Sequence, residues 1–379
     1  MVDADTIKIG VLFSQTGPMA VTENAHVQGI LLACEEINAS GGISGRTIEP
    51  VVLDPFGSDE QYAALATELL VKHRVNVIFG TCLSSSRKAV LPVIERFNGV
   101  LFYPSVYEGF EYSPNVIYGG AVPNQVILPL LEYFYEHEGK QIALIGSDTL
   151  YAREVNRIVN EFLSESGGAV TSESYLPIGA NGDHFRMVLE SSIVPEVNAI
   201  ISTVVGQDSI TLYDAFHTAG YDGTKLPIAS LTTTESELSK MKPEARIGHI
   251  SVAPYFSTLP TAASEAFRKH FVERYEKAGE PGVYSEVCYN QVHMFANAVR
   301  QAGSDDTDAI LSALSGAVFK GPSGDIFVET ETNHSTLRPL VGKATSDGTF
   351  EIVWRSGAVV RPDPYLVAYD RSVAGRVVV

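Results

Sequence analysis

Apolar runs of strand length alternate with amphipathic segments of helix length along the first hundred residues, and this alternation constrains the fold more than any other feature. The predicted strands cover residues 7–13, 48–53, 76–79 and 100–103. The segments between them, such as 25–38 and 60–73, repeat apolar residues at the spacing of one helix face. Strands separated by helices in this way indicate a mainly parallel sheet with helices on both faces.

A second series of the same kind begins after residue 125. Its predicted strands cover residues 141–146, 170–176, 199–203 and 227–231, and its predicted helices cover 126–137, 153–166, 184–191 and 209–219. Two long helices, a shorter helix and short strands follow, predicted at 261–278, 285–302, 307–315 and beyond 327. A chain of 379 residues is long enough for two domains of about 150 residues. We therefore predict two α/β units in tandem.

The segment 107–125 interrupts the alternation. It is rich in aromatic residues, Gly and Pro. Loops of this length in a compact fold are usually functional. We expect an irregular functional loop here.

The stretch 75–89 runs from a buried strand through Gly80 and three serines into a helical pattern. Serine is a favoured N-cap because its hydroxyl can accept a hydrogen bond from an otherwise unpaired backbone N–H. A helix N-terminus also presents free N–H groups and the positive end of the helix dipole, which suit a carboxylate or an amide oxygen. The alternative interpretation is an ordinary capped helix.

Hydroxyl-bearing or aromatic side chains follow the ends of most of the predicted strands. They are Ser14, Ser84, Ser85, Tyr103, Ser105, Thr149, Tyr151, Thr203, Thr232 and Thr233. Ligands of open α/β sheets bind at the carboxyl ends of strands, so these residues are candidates for one cleft. They include no obvious pair of nucleophile and base, which favours binding over turnover. The alternative is that Ser and Thr cap helices and line turns in any protein.

Charge and motifs exclude several functions. The 45 acidic and 27 basic residues give a formal net charge of −18, which disfavours contact with nucleic acid or anionic membranes. No apolar run reaches the roughly 18 residues of a membrane span, so no membrane insertion is expected. The sequence has no Walker A loop, no Gly-x-Ser-x-Gly motif and no His-Glu-x-x-His motif. Cys34, Cys82 and Cys288 lack the spacing of a zinc site. We predict a protein that is not an enzyme and uses no metal or cofactor.

The N-terminus leaves the location of the protein open. Residues 1–6 contain neither a basic n-region nor an apolar h-region. The expected location is cytoplasmic if Met1 is the native start, and periplasmic if a signal peptide has been removed.

Several long motifs resemble one protein family. They are Ser84-Ser85-Ser86-Arg87-Lys88-Ala89-Val90-Leu91-Pro92, Tyr103-Pro104, Tyr107-Glu108-Gly109, Ser113-Pro114-Asn115, Pro123-Asn124-Gln125, Gly146-Ser147-Asp148, Asn333-His334 and Arg361-Pro362-Asp363-Pro364-Tyr365. From Ile7 to about Tyr365 the sequence resembles the type I periplasmic-binding fold of the leucine/isoleucine/valine-binding class. It is similar to the small-amide receptors that regulate amidase operons, and to urea and short-chain amide binding proteins of ABC transporters. Residues 202–206 and 229–233 favour the amide receptors over the urea proteins.

The resemblance implies two lobes that close on a ligand held between them. The chain is expected to cross between lobes near residues 121–123, 251–254 and 329–333. Lobe 1 would then comprise 1–121 and 253–330, lobe 2 would comprise 122–252 and 331–365, and 366–379 would form a tail. The pocket residues implied by the family are Ser84, Tyr103, Ser105, Tyr151, Thr203, and Thr232 or Thr233.

Two positions depart from the resemblance. Cys82 and Thr149 stand where the amide and urea proteins carry aromatic residues. Both positions should face the ligand, so we expect a pocket larger than acetamide or urea requires.

Two functions follow from the resemblance. The first is a ligand sensor that binds a small amide and holds or releases a regulatory protein. The second is the binding component of an ABC transporter, which would deliver an amide, urea or an amino acid to a membrane permease.

Overall fold

The first half of the chain builds a sheet of five parallel strands, in a computed structural model that describes residues 6–367. The strands are β1 (Thr6–Leu12), β2 (Thr47–Leu53), β3 (Val77–Gly80), β4 (Val100–Tyr103) and β5 (Val116–Tyr118). They lie in the order β2-β1-β3-β4-β5. Helices α1 (Ala20–Ala39), α2 (Asp59–Val71) and α3 (Ser84–Arg96) connect the first four strands.

Most strands in the second half of the chain form a larger, mixed sheet. This half of the chain begins with α4 (Pro123–His137), β6 (Gln141–Ser147), α5 (Leu150–Glu165), β7 (Ala169–Leu176), α6 (Gly182–Ser192), β8 (Ala199–Thr203), α7 (Gln207–Thr218) and β9 (Ile228–Ser230). It continues with α8 (Glu235–Leu238), α9 (Pro243–Arg246), β10 (Ile250–Ala253), α10 (Ala262–Arg274), α11 (Val283–Ala302) and α12 (Thr307–Leu314). The last strands are β11 (Val318–Gly321), β12 (Gly324–Phe327), β13 (Leu340–Ala344) and β14 (Phe350–Arg355). The seven-stranded sheet has the order β14-β13-β10-β9-β8-β6-β7, in which β13 runs antiparallel to both of its neighbours, β10 and β14.

Both faces of each sheet are covered, which explains why the strands carry apolar runs rather than strict alternation. On one face of the first sheet, Phe79 and Phe102 pack against Phe295 of α11. On the other face, Ile78 packs in a cluster with Leu69 of α2. Two further clusters cover the faces of the second sheet. We call the first sheet with its helices lobe 1 and the second sheet with its helices lobe 2.

The chain returns to lobe 1 after building most of lobe 2. Helix α11 packs along α1, and the hydroxyl of Ser285 donates a hydrogen bond to the carbonyl of Ala25 at 2.9 Å. The predicted fold, two α/β lobes with mainly parallel sheets, is confirmed. The residue boundaries of the lobes given above remain a proposal, and positions 368–379 of the predicted tail lie outside the described residues.

Several local predictions are wrong. The segment 107–125 is not irregular throughout, because Val116–Tyr118 pairs with β4 and α4 begins at Pro123. Helix α3 begins at Ser84, so the three serines form its first turn, and the N-cap is Leu83 without a side-chain hydrogen bond.

Within residues 6–367, none of the helices combines the length and the apolar character that a membrane span requires.

Candidate ligand-binding site

A cavity of about 410 Å³ lies between the two lobes, at the carboxyl ends of their parallel strands. Lobe 1 lines it with Met19, Thr22, Gly57, Asp59, Cys82, Leu83, Ser84, Ser85, Ser105, Val106 and Tyr284. Lobe 2 lines it with Asp148, Thr149, Leu150, Tyr151, Ile178, Val205, Gly206 and Thr232. The cavity is large enough for a small organic molecule, and either lobe alone supplies only part of its wall.

Most of the predicted site residues meet in this cavity. The structure places there Cys82, Ser84, Ser85, Ser105, Thr149, Tyr151 and Thr232. They come from loops after β3, β4, β6 and β9 and from the first turns of α3 and α5. Strand ends that are far apart in sequence therefore converge as the parallel arrangement predicts.

Four predicted residues do not line the cavity, because their polar atoms form hydrogen bonds with other protein groups or are buried away from the cavity. The Ser14 hydroxyl accepts from the Gly57 N–H at 2.8 Å, and the Tyr103 hydroxyl donates to the Cys82 carbonyl at 2.9 Å. The Thr203 hydroxyl donates to the side-chain oxygen of Asn156 at 3.2 Å. Thr233 is buried beside Thr232, and its backbone N–H donates to Ser230. The lining role expected for Ser14, Tyr103, Thr203 and Thr233 is therefore corrected.

An apolar wall of the cavity was not predicted. Met19, Cys82 and Val205 form a small cluster with Leu83 and Ile178, drawn from both lobes. The start of α1 at Ala20, five residues before the predicted helix, is what places Met19 and Thr22 at the cavity. Among the residues of this cluster, only Cys82 could be selected from the sequence, because it departs from the family resemblance.

Ser84 is held by a buried ionic network. Its hydroxyl donates to a carboxylate oxygen of Glu108 at 2.5 Å, and Arg87 donates to the other oxygen of that carboxylate at 3.0 Å. Arg87 is fully buried, also binds Glu111 at 2.7 Å, and lies over the Tyr103 ring. Removing one member of such a network leaves a buried charge uncompensated. The network therefore fixes the position of Ser84 at the start of α3.

Ser105 faces a buried histidine, His26, which was not among the predicted site residues. The Oγ atom of Ser105 lies 3.1 Å from Nε2 of His26, and Nδ1 of His26 lies 2.9 Å from the carbonyl oxygen of Thr22. The imidazole is stacked between the rings of Phe13 and Tyr284. Burial lowers the pKa of His26 to about 3. The ring is therefore neutral at pH 7 and too weak a base to activate Ser105 as a nucleophile.

Tyr151 lines the cavity, and its buried hydroxyl is unpaired. It sits in the first turn of α5, whose N-cap Thr149 accepts a hydrogen bond from the Ala152 N–H at 3.2 Å. Tyr151 is 5% exposed, and among residues 6–367 its Oη has no hydrogen-bond partner. Burial raises the pKa of Tyr151, so the phenol keeps its proton. A buried phenol without a partner indicates a place for a ligand acceptor.

The two lobes touch beside the cavity. The Thr22 hydroxyl on α1 donates to a carboxylate oxygen of Glu237 on α8 at 2.6 Å, and the Gln207 N–H donates to the Pro18 carbonyl at 2.8 Å. Gly206 has φ +63°, and a Cβ there would lie 2.4 Å from the Pro18 carbonyl oxygen, so only glycine fits this approach. The structure is therefore closed around the cavity on this side.

Charged groups lie only at the edge of the cavity. Asp59 and Asp148 are exposed, Asp59 accepts from Ser85 at 3.1 Å, and Asp148 pairs with Arg153 at 2.8 Å. In the described part of the chain, no group of three or more His, Cys, Asp or Glu side chains is placed to hold a metal ion. The arrangement suits the binding of a small polar molecule with an apolar portion.

Two helix-covered sheets with a cavity between the carboxyl ends of their strands define the two-lobed binding-protein fold. The sequence profile of the periplasmic binding protein domain matches residues 7–371, and the chain belongs to that family. The predicted family resemblance is thereby confirmed at the level of the fold class. The finer similarity to amide receptors of amidase operons stays a prediction.

Individual relatives are distant but cover nearly the whole chain. The chain is 24% identical to Leu/Ile/Val-binding protein homolog 7 of Brucella abortus, over 93% of this chain and 92% of that protein. Among solved structures, it is similar to the branched-chain amino acid transporter substrate binding protein LivJ from Streptococcus pneumoniae in complex with isoleucine. That match has a TM-score of 0.82 at 22% identity and covers 94% of this chain and 100% of that one. A solute binding protein of an ABC transporter from Rhodopseudomonas palustris, in complex with 3,4-dihydroxybenzoic acid, matches with a TM-score of 0.83 at 20% identity over 94% and 99% of the two chains.

Proposed function

We propose that this protein binds a small polar molecule bearing an amide group in the cavity between its lobes, and releases it unchanged. The observation that carries the proposal is the cavity itself, which hydroxyls of both lobes and one apolar wall line together. A ligand in this cavity contacts both lobes and therefore stabilises their closed arrangement. Urea and amino-acid-like molecules are the other ligands that the family resemblance supports.

The absence of turnover is part of the proposal. Ser105 and His26 are a pair at the cavity whose geometry resembles a nucleophile and its base. A base whose conjugate acid has a pKa of about 3 gives little general-base catalysis near pH 7. Incubation of the protein with a bound amide should release no ammonia above the buffer blank, and steady release would contradict this part of the proposal.

The role we favour is that of a sensor that reports a small amide to a regulatory protein. It is supported by the motifs at residues 84–92 and 229–233, which resemble the amide receptors. The second candidate role is the substrate-binding component of an ABC transporter for amides, urea or branched-chain amino acids. It is supported by the similarity to transporter proteins with bound isoleucine and 3,4-dihydroxybenzoic acid.

The ligand can be identified directly. Protein purified from its native host is denatured, and mass spectrometry identifies the small molecules released. The purified protein is then melted with amides, urea, amino acids and aromatic acids, since a ligand at 100 times its Kd adds about 2.7 kcal/mol to the free energy of unfolding. Stabilisation by an amide supports the proposal, and a protein that no small solute stabilises contradicts it.

The genome separates the two roles. A secretory signal in the reading frame upstream of Met1, next to permease genes, supports transport. A native start at Met1, next to a regulator and an amidase gene, supports the sensor.

A further inference from the structure

A second cavity, of about 400 Å³, lies in lobe 1 at the amino ends of β1, β2 and β3. Its walls come mainly from the starts of those strands, the turn between α2 and β3, and the segment before α12. The interlobe cavity lies at the opposite, carboxyl end of the same sheet. The two cavities are therefore separate, and a ligand of the second one does not depend on the proposed function.

Positively charged side chains gather at this second cavity although the chain as a whole is strongly acidic. The lysines and arginines that line it are Lys8, Arg46, Lys72 and Arg74. Its lining carboxylates are Glu49 and Asp305, and Glu68 pairs with Lys72 at 2.6 Å from outside the lining. Four cations thus meet three carboxylates, in a chain whose formal net charge is −18. The acidic excess lies elsewhere, so the local field favours an anion here.

Arg74 is the cation of this cavity that has no protein partner. Among residues 6–367 its guanidinium forms neither an ion pair nor a hydrogen bond. Its backbone has φ +58°, in the turn after α2 where the Val75 N–H donates to the Leu69 carbonyl. Glycine usually occupies that left-handed position, because a side chain strains it. An arginine placed there points to a use for its side chain.

Arg46 is held by a carboxylate and still has one unpaired donor. Its Nη1 and Nη2 atoms donate to the two carboxylate oxygens of Asp305 at 3.3 and 2.9 Å. Its Nε atom is buried and has no partner in the described part of the chain. Buried donors in proteins nearly always have an acceptor, and a bound anion would supply one.

The two lysines are only weakly committed to their partners. The Lys8 ammonium lies 3.6 Å from Glu49, and these side chains are 43% and 52% exposed. Lys72 is 71% exposed in its pair with Glu68. Exposed ion pairs contribute little to stability, so both ammonium groups can turn towards an anion without destabilising the fold.

We propose that this cavity binds a small solute bearing a phosphate group, with Arg74 as the residue that contributes most to its recognition. A guanidinium group donates two parallel hydrogen bonds to phosphate oxygens, and a phosphate offers acceptors to several donors at once. A monocarboxylate has fewer oxygens and a single charge, so it should bind more weakly. The volume lies in the range of small-molecule sites and leaves room for more than the phosphate itself.

The test uses inorganic phosphate, pyrophosphate and acetate as probes. Calorimetry at pH 7.5 and low ionic strength should show saturable binding of both phosphate probes, tighter for pyrophosphate, and no binding of acetate. Added sodium chloride should weaken the binding, since salt screens charges at a half-exposed site. If neither phosphate probe binds saturably below about 10 mM, or if acetate binds as tightly, the inference is wrong.

One variant and a matched control assign the binding to Arg74. Arg74→Gly removes the cation and suits the positive φ, so it should weaken pyrophosphate binding at least about tenfold without lowering the melting temperature. Arg186→Gln is the control, because it also removes one positive charge, from an exposed pair with Asp183 on α6 that lies outside both cavities. Unchanged binding by Arg74→Gly, or equal weakening in the control, overturns the proposal.

A second comparison separates this cavity from the one between the lobes. Cys82→Tyr with Thr149→Tyr narrows the interlobe cavity, and both residues are absent from the second one. Pyrophosphate should bind this double variant as it binds the wild type. If the double variant loses pyrophosphate while Arg74→Gly keeps it, the anion binds between the lobes and the inference is wrong. In either case the proposed function of the interlobe cavity is judged by its own ligands.

Discussion

The hydroxyl of Thr22 in lobe 1 lies 2.6 Å from a carboxylate oxygen of Glu237 in lobe 2, and this hydrogen bond connects the lobes beside the cavity. Both side chains are buried. Since the bond joins the lobes only while they are closed, its contribution should appear in the affinity for the ligand rather than in the stability of either lobe.

Thr22→Val tests this connection. We expect a loss of affinity equivalent to about 1–3 kcal/mol, the cost of leaving a buried polar partner unsatisfied. Calorimetry measures the affinity, and small-angle scattering with ligand measures the fraction of closed protein. Thr234→Val is the matched control, because Thr234 donates to the same carboxylate at 2.7 Å from within lobe 2. Equal affinities for Thr22→Val and the wild type would show that the bond does not stabilise closure.

Buried glutamates should make the free energy of unfolding depend on pH. Burial raises the pKa of Glu23 to about 8, although its bonds from Tyr62 and from the Ser14 N–H oppose the shift. The folded protein therefore binds the proton more tightly than the unfolded chain, whose ordinary glutamate pKa is about 4.3. The sign of the linkage then requires stability to be full below the unfolded pKa and to fall as pH rises towards 8.

Urea denaturation at pH 5, 6.5 and 8 measures this effect. Glu23→Gln should remove part of the decline, because an amide keeps the shape without titrating. Glu190→Gln, at an exposed position, serves as the control and should decline like the wild type. If the free energy of unfolding of the wild type increased between pH 5 and 8, and by more than that of the control, burial of Glu23 could not be the origin of the pH dependence.

Ser84→Ala should weaken ligand binding by about 1–3 kcal/mol. The substitution removes a cavity hydroxyl and leaves one oxygen of the buried Glu108 carboxylate without its partner. Ser86→Ala is the matched control in the same helical turn, since the Ser86 hydroxyl donates to the Leu83 carbonyl and does not line the cavity. If calorimetry finds the affinity of folded Ser84→Ala unchanged, Ser84 has no place in the site.

Cys82 and Thr149 should set the size of the ligand. Both line the cavity, and an aromatic ring buries roughly 150–250 Å² of its own surface, so small residues at both positions leave room for several heavy atoms. We expect the wild type to prefer a longer amide over acetamide or urea. Cys82→Tyr with Thr149→Tyr should shift preference towards acetamide, as measured by the affinity ratio of acetamide to isobutyramide. A wild type that already prefers acetamide would contradict this role.

The two-lobed α/β fold could be predicted because it rests on local pattern. Buried parallel strands need continuous apolar runs, and their connections need amphipathic helices, so each element left its own signal. The strands at 100–103 and 199–203 have the predicted bounds. The short strand β5 was missed because three residues carry too little periodicity to identify a strand that pairing with β4 alone stabilises.

Most of the cavity residues that could be predicted from the sequence are those whose hydroxyl group follows the end of a strand. Ser84, Ser105 and Thr149 follow recognisable strands, so topology alone brings them to one edge. Tyr103 was misassigned because nothing in the sequence tells which way a side chain at a strand end turns. Its hydroxyl bonds to the Cys82 carbonyl instead.

The fold class, the sheet edge at which the cavity lies and the hydroxyl groups at that edge could be predicted from the amino-acid sequence alone. The direction of the hydrogen bonds that those hydroxyls make depends on tertiary contacts, because a hydroxyl can donate or accept and its neighbours fix which. For Ser105 the deciding neighbour is His26, 79 positions away in the chain. Burial keeps that imidazole neutral, and a contact of this kind exists only once β4 and α1 have packed together.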